Sequence, residues 1–323
     1  MCILVIALQC HPTFPFICAH NRDEERDRPS LEDGIESDTQ LLCGRDAQAG
    51  GFVLGLHVQH GHFAALTNCR CRVRWISTER TSRGLLVEHL ASQGPHLAEF
   101  VRERKIDPYH VVCGEIFQAI PEVHYFWNTP EDSKEPPPSP ETCHWSRGHQ
   151  QLGPGVFVVS NENPTETASW PKCLWLKEEV TRFLQNLGPS VGALDLQQGL
   201  GEIMSRYDVP GLGPPKEVPK VLPKEVEMKL HSGPFCPWRP GVKRFGTVSQ
   251  RILVCDSQAK KTHYFHRSTN EPASSFSDGP RQAGPWKHIE VPWEILPLTD
   301  LTAWQRCFGA AWTYCVLCLK LDR

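Results

Sequence analysis

The sequence contains no uninterrupted run of 18 apolar residues, which is about the length that a helix needs to span a bilayer. It also lacks an excess of either charge, because 34 Lys and Arg residues against 37 Asp and Glu residues give a net charge of −3. The first absence argues against an integral membrane protein. The second leaves no basic field to hold nucleic acid or anionic lipid. The opening apolar stretch has no basic residues before it, so we expect a first strand rather than a secretory signal, in a soluble intracellular protein.

The cysteines are too sparse and too irregularly spaced for a disulfide scaffold. Fourteen Cys residues are spread over 323 positions, whereas small secreted disulfide proteins are far denser in cysteine. We therefore expect mostly reduced thiols. Ten Trp and fourteen Phe residues with 22% charged residues exclude disorder across the whole chain, although 28 Pro and 24 Gly residues indicate many loops.

Short apolar runs between Gly and Pro residues predict strands, and longer runs with a period near 3.6 predict helices. The predicted strands are Cys2–Leu8, Phe14–Ala19, Phe52–Val58, His62–Thr67, His110–Ile116, Val123–Trp127, Val156–Ser160, Phe245–Asp256, Thr262–Arg267 and His288–Val291. The predicted helices begin after Ser82 with a continuation at Leu97–Val101, after Ser169, and at Ala193–Tyr207.

The order of these elements favours an antiparallel α+β protein over alternating βαβ units, and a four-layer αββα sandwich fits it. We expect one domain over residues 1–296, with Pro-rich loops near 130–140 and 208–223. A divergent tail, 297–323, has aromatic residues and cysteines without a clear period.

Cys2 is the most distinctive candidate for chemistry. A small residue in second position permits removal of Met1, which would leave a thiol and a free α-amine on one residue. The amine has a pKa of about 8 and the thiol about 8.5, so Cys2 could supply both a nucleophile and a base. The alternative is that Cys2 is simply an apolar residue that begins a strand.

Polar residues follow three predicted strands. The run His20–Glu24 could place an Arg and an Asp beside a thiol, although on composition alone a solvated turn fits it better. Asn68 and Asn161 each end an apolar run, where an amide can donate to an oxyanion. Asn also favours turns at such places, so each one taken alone is better explained by a structural role.

Several short motifs occur in a fixed order over about residues 1–290. They are Met1-Cys2, Asn21-Arg22-Asp23-Glu24 with Arg28-Pro29, Gly50-Gly51 with Gly55, Leu66-Thr67-Asn68, Arg83-Gly84, Ser160-Asn161 with Trp170-Pro171-Lys172, and Gly246-Thr247. Together they resemble the NRDE family, whose best-known member is transport and Golgi organisation protein 2. The tetrad some twenty residues after Met-Cys is the most specific of these matches.

The resemblance implies an αββα sandwich similar to N-terminal-nucleophile hydrolases. It implies a catalytic set of Cys2, Arg22, Asp23, Asn68 and Asn161, with Asn21, Glu24 and Arg83 at the ligand site. It further implies that no cofactor is required and that acyl-CoA or haem is the bound ligand. The implied location is cytoplasmic, with mitochondrial and Golgi association and peripheral membrane contact.

The chain departs from the family pattern at two places. It has Phe52-Val53 where the family has Thr-Trp, and Val248 where the family has an Arg. Without that Arg the catalytic set implied by the resemblance is incomplete, unless the nearby Arg244 or Arg251 replaces it.

No metal site is expected. The histidines at 57, 60 and 62 cluster around a turn, and two cysteines lie close together in the sequence at 69/71 and again at 315/318. Neither group has the ligand spacing of a zinc module. A haem attachment motif, Cys-x-x-Cys-His, is also missing, which leaves Cys236-Pro237 or an exposed His as reversible haem ligands.

Two functions follow. One, which the resemblance implies, is a non-enzymatic or weakly enzymatic homeostasis and trafficking protein with roles in Golgi organisation, secretion, mitochondrial lipid metabolism and haem handling, whose pocket beside Cys2 holds a ligand. The other is a cysteine hydrolase that attacks acyl amides or thioesters. We rank the first higher because the late Arg is missing and because the roles that the family resemblance implies are of this kind.

Overall fold

A computed structural model describes residues 2–25, 27–69, 81–95, 106–130, 145–162, 170–213, 224–237, 245–269 and 283–293. The predictions for the tail 297–323, for the helical continuation Leu97–Val101 and for nearly all of the loop at 130–140 lie outside these residues. So do residues 214–223 of the second Pro-rich loop.

The first sheet is antiparallel and has six strands in the order β10-β1-β2-β11-β12-β13. Its strands are β1 (Ile3–Leu8), β2 (Phe16–Glu25), β10 (Gly155–Val159), β11 (Phe245–Asp256), β12 (Lys261–Ser268) and β13 (Lys287–Pro292). All six residues of β1 are buried, as expected for a strand that is paired on both sides and covered on both faces.

The second sheet is a seven-stranded antiparallel meander in which each strand pairs with the next along the chain. Its strands are β3 (Gly34–Ile35), β4 (Leu41–Cys43), β5 (Leu54–His57), β6 (His62–Asn68), β7 (Tyr109–Glu115), β8 (Glu122–Pro130) and β9 (Trp145–Leu152). The sequence analysis missed β3, β4 and β9.

The helices among the described residues are α1 (Arg83–Gln93), α2 (Pro171–Gln185), α3 (Ala193–Met204) and α4 (Lys224–His231). The Ser82 hydroxyl caps α1 by accepting the Gly84 N–H at 3.3 Å, and Pro171 occupies the first turn of α2, where its missing N–H costs nothing. None of the described helices is long and apolar enough to cross a membrane.

Three apolar cores set the order of the layers. Alternate residues of β1, such as Val5, pack against Leu176 of α2 and Leu196 of α3. The other residues of β1, such as Ile6, form a second core with Phe63 and the rest of the second sheet. A third core joins the second sheet to α1. The described residues therefore confirm an α+β protein with two antiparallel sheets. Helices α2 and α3 pack on the first sheet and α1 packs on the second, which is compatible with a sandwich.

The sequence analysis was wrong about where the polar tetrad lies. Residues 21–24 do not follow the strand in a turn, because β2 continues through Glu25 and the tetrad forms its last part. Polar side chains can remain inside this strand because Asn21, Arg22 and Asp23 each hydrogen-bond to groups on neighbouring elements.

Replacing Leu176 by Ala is expected to destabilise the protein by about 2–5 kcal/mol, because the side chain is 0% exposed between α2 and the first sheet. Leu174 lies two residues earlier on the same helix and is 50% exposed, so Leu174→Ala should change stability by less than about 0.5 kcal/mol. Urea unfolding of both variants measures the difference. Equal effects would contradict the assignment of the buried face of α2.

Candidate functional site

Strand pairing places Cys2 beside Arg22. Ile3 of β1 pairs with Asn21 of β2, so Cys2 and Arg22 come next along the two antiparallel strands. Side chains alternate along a strand, and Leu4 and Cys18 point into the core between the sheets. Cys2 and Arg22 therefore point to the same inner face, at the end of that core.

The Cys2 thiol is buried and held inside the protein. Its residue is 5% exposed, and its Sγ lies 3.7 Å from the backbone oxygen of Asp23, to which it donates. Burial raises the pKa of the thiol; the α-amine of the chain and the Arg22 guanidinium lower it, but the net shift is upward. At neutral pH the side chain is thus a thiol rather than the thiolate that attacks carbonyl carbons.

The Arg22 side chain is held by hydrogen bonds to Ser30 and Asp46, which lie in the loops after β2. Its two terminal nitrogens donate to Ser30 Oγ and to Asp46 Oδ2, each at 2.8 Å. Burial alone would raise the pKa of Asp46, but the backbone N–H of Ala49 and the Arg28 side chain outweigh it and lower the pKa. Asp46 thus remains ionised, and its Oδ2 accepts from both Arg22 and Arg28, the latter at 2.5 Å.

The Asp23 carboxylate belongs to a chain of hydrogen bonds. Thr247 Oγ1 donates to Asp23 Oδ1 at 2.6 Å and accepts the backbone N–H of Cys236 at 2.9 Å. The backbone N–H of Thr247 in turn donates to the Cys236 oxygen at 2.9 Å. The late Gly246-Thr247 motif is therefore in direct contact with the early tetrad.

The two predicted asparagines meet each other across the two sheets. The Asn161 side-chain amide donates to the backbone oxygen of Asn68, at the end of β6. Beside it, Ser160 Oγ donates to the Cys2 backbone oxygen at 3.0 Å, and Thr67 Oγ1 donates to the Ser160 oxygen at 2.5 Å. These bonds connect β1, β6 and the end of β10 at the edge where Cys2 lies.

The three predicted ligand residues have different surroundings. Asn21 is fully buried; its amide donates to the backbone oxygens of Met204 and Pro234, both at 2.8 Å. Glu24 lies 3.8 Å from Arg22, and Arg83 donates to a backbone oxygen, that of Pro108, at 3.1 Å. Contact of these residues with a ligand stays a prediction.

Val248 lies in an irregularity of the sheet. The register of β11 against β2 shifts between Thr247 and Ser249, which makes Val248 the extra residue of a bulge. Arg251, one of the two proposed substitutes for the family Arg, donates to both oxygens of Asp33, at 2.6 and 2.8 Å. Burial is the main cause of the lowered pKa of Arg22, and the nearby positive charge of Arg251 lowers it further. The other substitute, Arg244, lies outside the described residues.

Asp46, Ser30 and Ser160 hold the site together, yet the sequence analysis did not assign them to it. Asp46 and Ser30 lie in loops with no apolar period. Ser160 was seen only as a neighbour of Asn161. The adjacency of Ser160 to Asn161 was the one signal that could have identified any of them.

The family comparison agrees with the resemblance. A family model described as transport and Golgi organisation 2 matches residues 1–271. No curated protein gives a significant sequence match to the chain.

The alkylation rate of Cys2 by iodoacetamide should still be increasing at pH 9, because burial raises the pKa of the thiol and only the thiolate reacts. Below its pKa, each unit of pH should raise the rate about tenfold. Mass spectrometry of the Cys2 peptide measures the rate, and Cys2→Ser confirms the assignment. A rate that levels off below pH 8 would reveal an activated thiolate instead.

Proposed function

The chain belongs to the transport and Golgi organisation 2 family, and we propose that it acts in membrane trafficking and Golgi organisation by holding a lipid-derived acyl ligand beside Cys2. The observation that carries this proposal is the convergence of Cys2, Arg22 and Asp23 with Asn161 at one end of the core between the sheets. Such a convergence of polar groups at the end of an apolar core suits a ligand with a polar head and an apolar chain.

A cavity of about 190 Å³ supports an acyl chain as the apolar part of the ligand. It opens where β10 and β9 form the edges of the two sheets, and α2 covers it. Its lining includes Tyr125, Leu152, Phe157, Val159, Cys173 and Lys177.

The cavity lies next to the Cys2 site. Burial and Glu162 raise the pKa of the Cys173 thiol in its wall, and Ser160 is close enough to this thiol to lower the pKa by a smaller amount. Ser160 also holds the Cys2 backbone. A chain in the cavity would thus begin close to Cys2, with its polar head toward the tetrad.

Haem is less suited to this cavity than an acyl chain. Pockets for drug-sized ligands typically enclose about 300–1,000 Å³. The cavity here measures 190 Å³, and the rigid haem ring would have to enter it as a whole. Cys236, which the sequence analysis named as a reversible haem ligand, is only 8% exposed, and its backbone N–H donates to Thr247. We therefore place acyl-CoA before haem as the ligand, and mitochondrial acyl-CoA metabolism before haem handling as the setting.

Filling the cavity with Cys173→Leu should raise the Kd for decanoyl-CoA at least about tenfold and leave the Kd for free CoA unchanged. Losing the burial of about two methylene groups, at ~0.8 kcal/mol each, is enough for this effect. Isothermal titration calorimetry measures both constants.

Cys10→Leu is the matched control, since it makes the same change at a half-buried cysteine outside the cavity lining. An unchanged Kd for decanoyl-CoA in Cys173→Leu would remove the cavity from the proposal. If Cys173→Leu weakens the binding of haem, the occupant of the cavity would instead be identified as haem.

The second candidate function is a cysteine hydrolase of the N-terminal-nucleophile type, and the alignment of Cys2 with Arg22 favours it. In this reaction the Cys2 sulfur attacks the carbonyl carbon of an acyl thioester or amide and forms an acyl-enzyme. The α-amine takes the proton of the Cys2 thiol during the attack and passes it to the departing thiol or amine. Water then attacks the acyl-enzyme, which releases the acid and restores the thiol. Asn68 and Asn161 would donate to the oxyanion.

The hydrolase requires removal of Met1, so an intact mass that includes Met1 would exclude it in this form. If Met1 is absent, incubation with decanoyl-CoA should add one decanoyl group to Cys2, seen as a mass increment that Cys2→Ala abolishes. Binding of decanoyl-CoA with neither adduct nor turnover would favour the ligand-holding function.

A further inference from the structure

Two histidines and a glutamate meet at the outer edge of the first sheet, away from Cys2. His263 lies on β12, and His288 and Glu290 lie on the edge strand β13. Glu290 is directly opposite His263 in the antiparallel register, whereas His288 is opposite Phe265 and thus diagonal to His263. All three side chains therefore project from one face of the sheet.

The separations of their ligand atoms match those around a single small cation. His263 Nδ1 lies 3.1 Å from His288 Nε2 and 3.5 Å from Glu290 Oε1. Two ligands at about 2.0–2.1 Å from a tetrahedral Zn²⁺ are about 3.3 Å apart, which lies between these two values. One atom from each of the three residues falls within 4.8 Å of the others.

The two imidazole rings are also positioned to coordinate an ion, since each can offer one ring nitrogen to it. Both rings are held in place, since His288 stacks on Phe265 with the ring centroids 4.3 Å apart and on His263 at 5.2 Å. Lys261 Nζ donates to Glu290 Oε2 at 3.0 Å, which leaves Oε1 directed at His263.

We propose that His263, His288 and Glu290 bind one Zn²⁺ ion through two imidazole nitrogens and one carboxylate oxygen. Imidazole nitrogens favour Zn²⁺ over Mg²⁺ and Ca²⁺, which prefer oxygen ligands. Three protein ligands leave a fourth position for water or for a group from a partner. Because His288 and Glu290 are on β13 and His263 is on β12, the ion would fasten the edge strand to the sheet.

Two other histidine clusters lack this arrangement. His124 Nδ1 lies 3.0 Å from His149 Nε2, but Glu122 contacts the other nitrogen of His124, on the far side of the ring. One ion could not be held by all three of these groups.

The histidines at 57, 60 and 62, noted in the sequence, do come together in space. Their ring centroids are 4.4 to 6.2 Å apart. However, His57 Nδ1 is turned toward the backbone N–H groups of Gln59 and His60, at 3.3 and 3.4 Å. Their ligand atoms do not form a compact set like that of the edge cluster.

The test is Zn²⁺ binding by the full chain, stripped with EDTA and kept reduced, in competition with a chromophoric chelator. His288→Gln and Glu290→Gln should each bind one equivalent of Zn²⁺ fewer than the unaltered chain, or bind it at least about tenfold more weakly. Zn²⁺ should raise the Tm of the unaltered chain and protect the amides of β13 from exchange, and both variants should lose these effects. Mg²⁺ should produce neither effect.

His149→Gln is the matched control, because it removes one member of an equally close histidine pair that has no suitably placed carboxylate. It should bind Zn²⁺ like the unaltered chain. Glu290→Gln keeps the experiment decisive if His288→Gln folds poorly, since Glu290 is exposed and its replacement keeps the shape of the side chain. Equal Zn²⁺ stoichiometry and affinity in the unaltered chain and both site variants would overturn the proposal.

Discussion

The pairing of β1 with β2 is the constraint on which the candidate site depends. It sets Cys2 beside Arg22, and a shift of one residue would turn one of the two side chains to the opposite face of the sheet. Such a shift is strongly disfavoured, because every residue of β1 is buried and its two faces belong to different apolar cores. The same registration of apolar side chains that stabilises the fold therefore positions the thiol.

Buried charges near the site impose a second constraint. Arg22 is paired with Asp46, and Arg251 with Asp33, at 5% and 3% side-chain exposure for the two arginines. Removing one member of such a pair leaves an uncompensated charge away from water, which typically costs about 3–5 kcal/mol. Part of the tetrad thus contributes to stability, so a loss of function after substitution of Arg22 is informative only when stability is measured as well.

The sequence predicted the elements whose apolar pattern is long or regular. Strand β11 was predicted with its exact bounds, Phe245–Asp256, and α2 was found from its helical period and its early Pro. The short strand β4 was missed because three residues are too few to show an alternation. The contact between Thr247 and Asp23 could not be predicted either, because it joins positions 224 residues apart and depends on tertiary packing alone.

The arrangement at Cys2 explains why we rank ligand holding above catalysis. A nucleophile needs its thiolate, its positive neighbour and its oxyanion donors to be available when a substrate arrives. Here burial keeps the thiol protonated, Arg22 already donates to Asp46, and the Asn161 amide already donates to Asn68. Catalysis would require these internal bonds to be exchanged for bonds to a substrate, at a free-energy cost that binding would have to offset. A chain held in the neighbouring cavity requires no such exchange, because it gains its free energy from apolar burial.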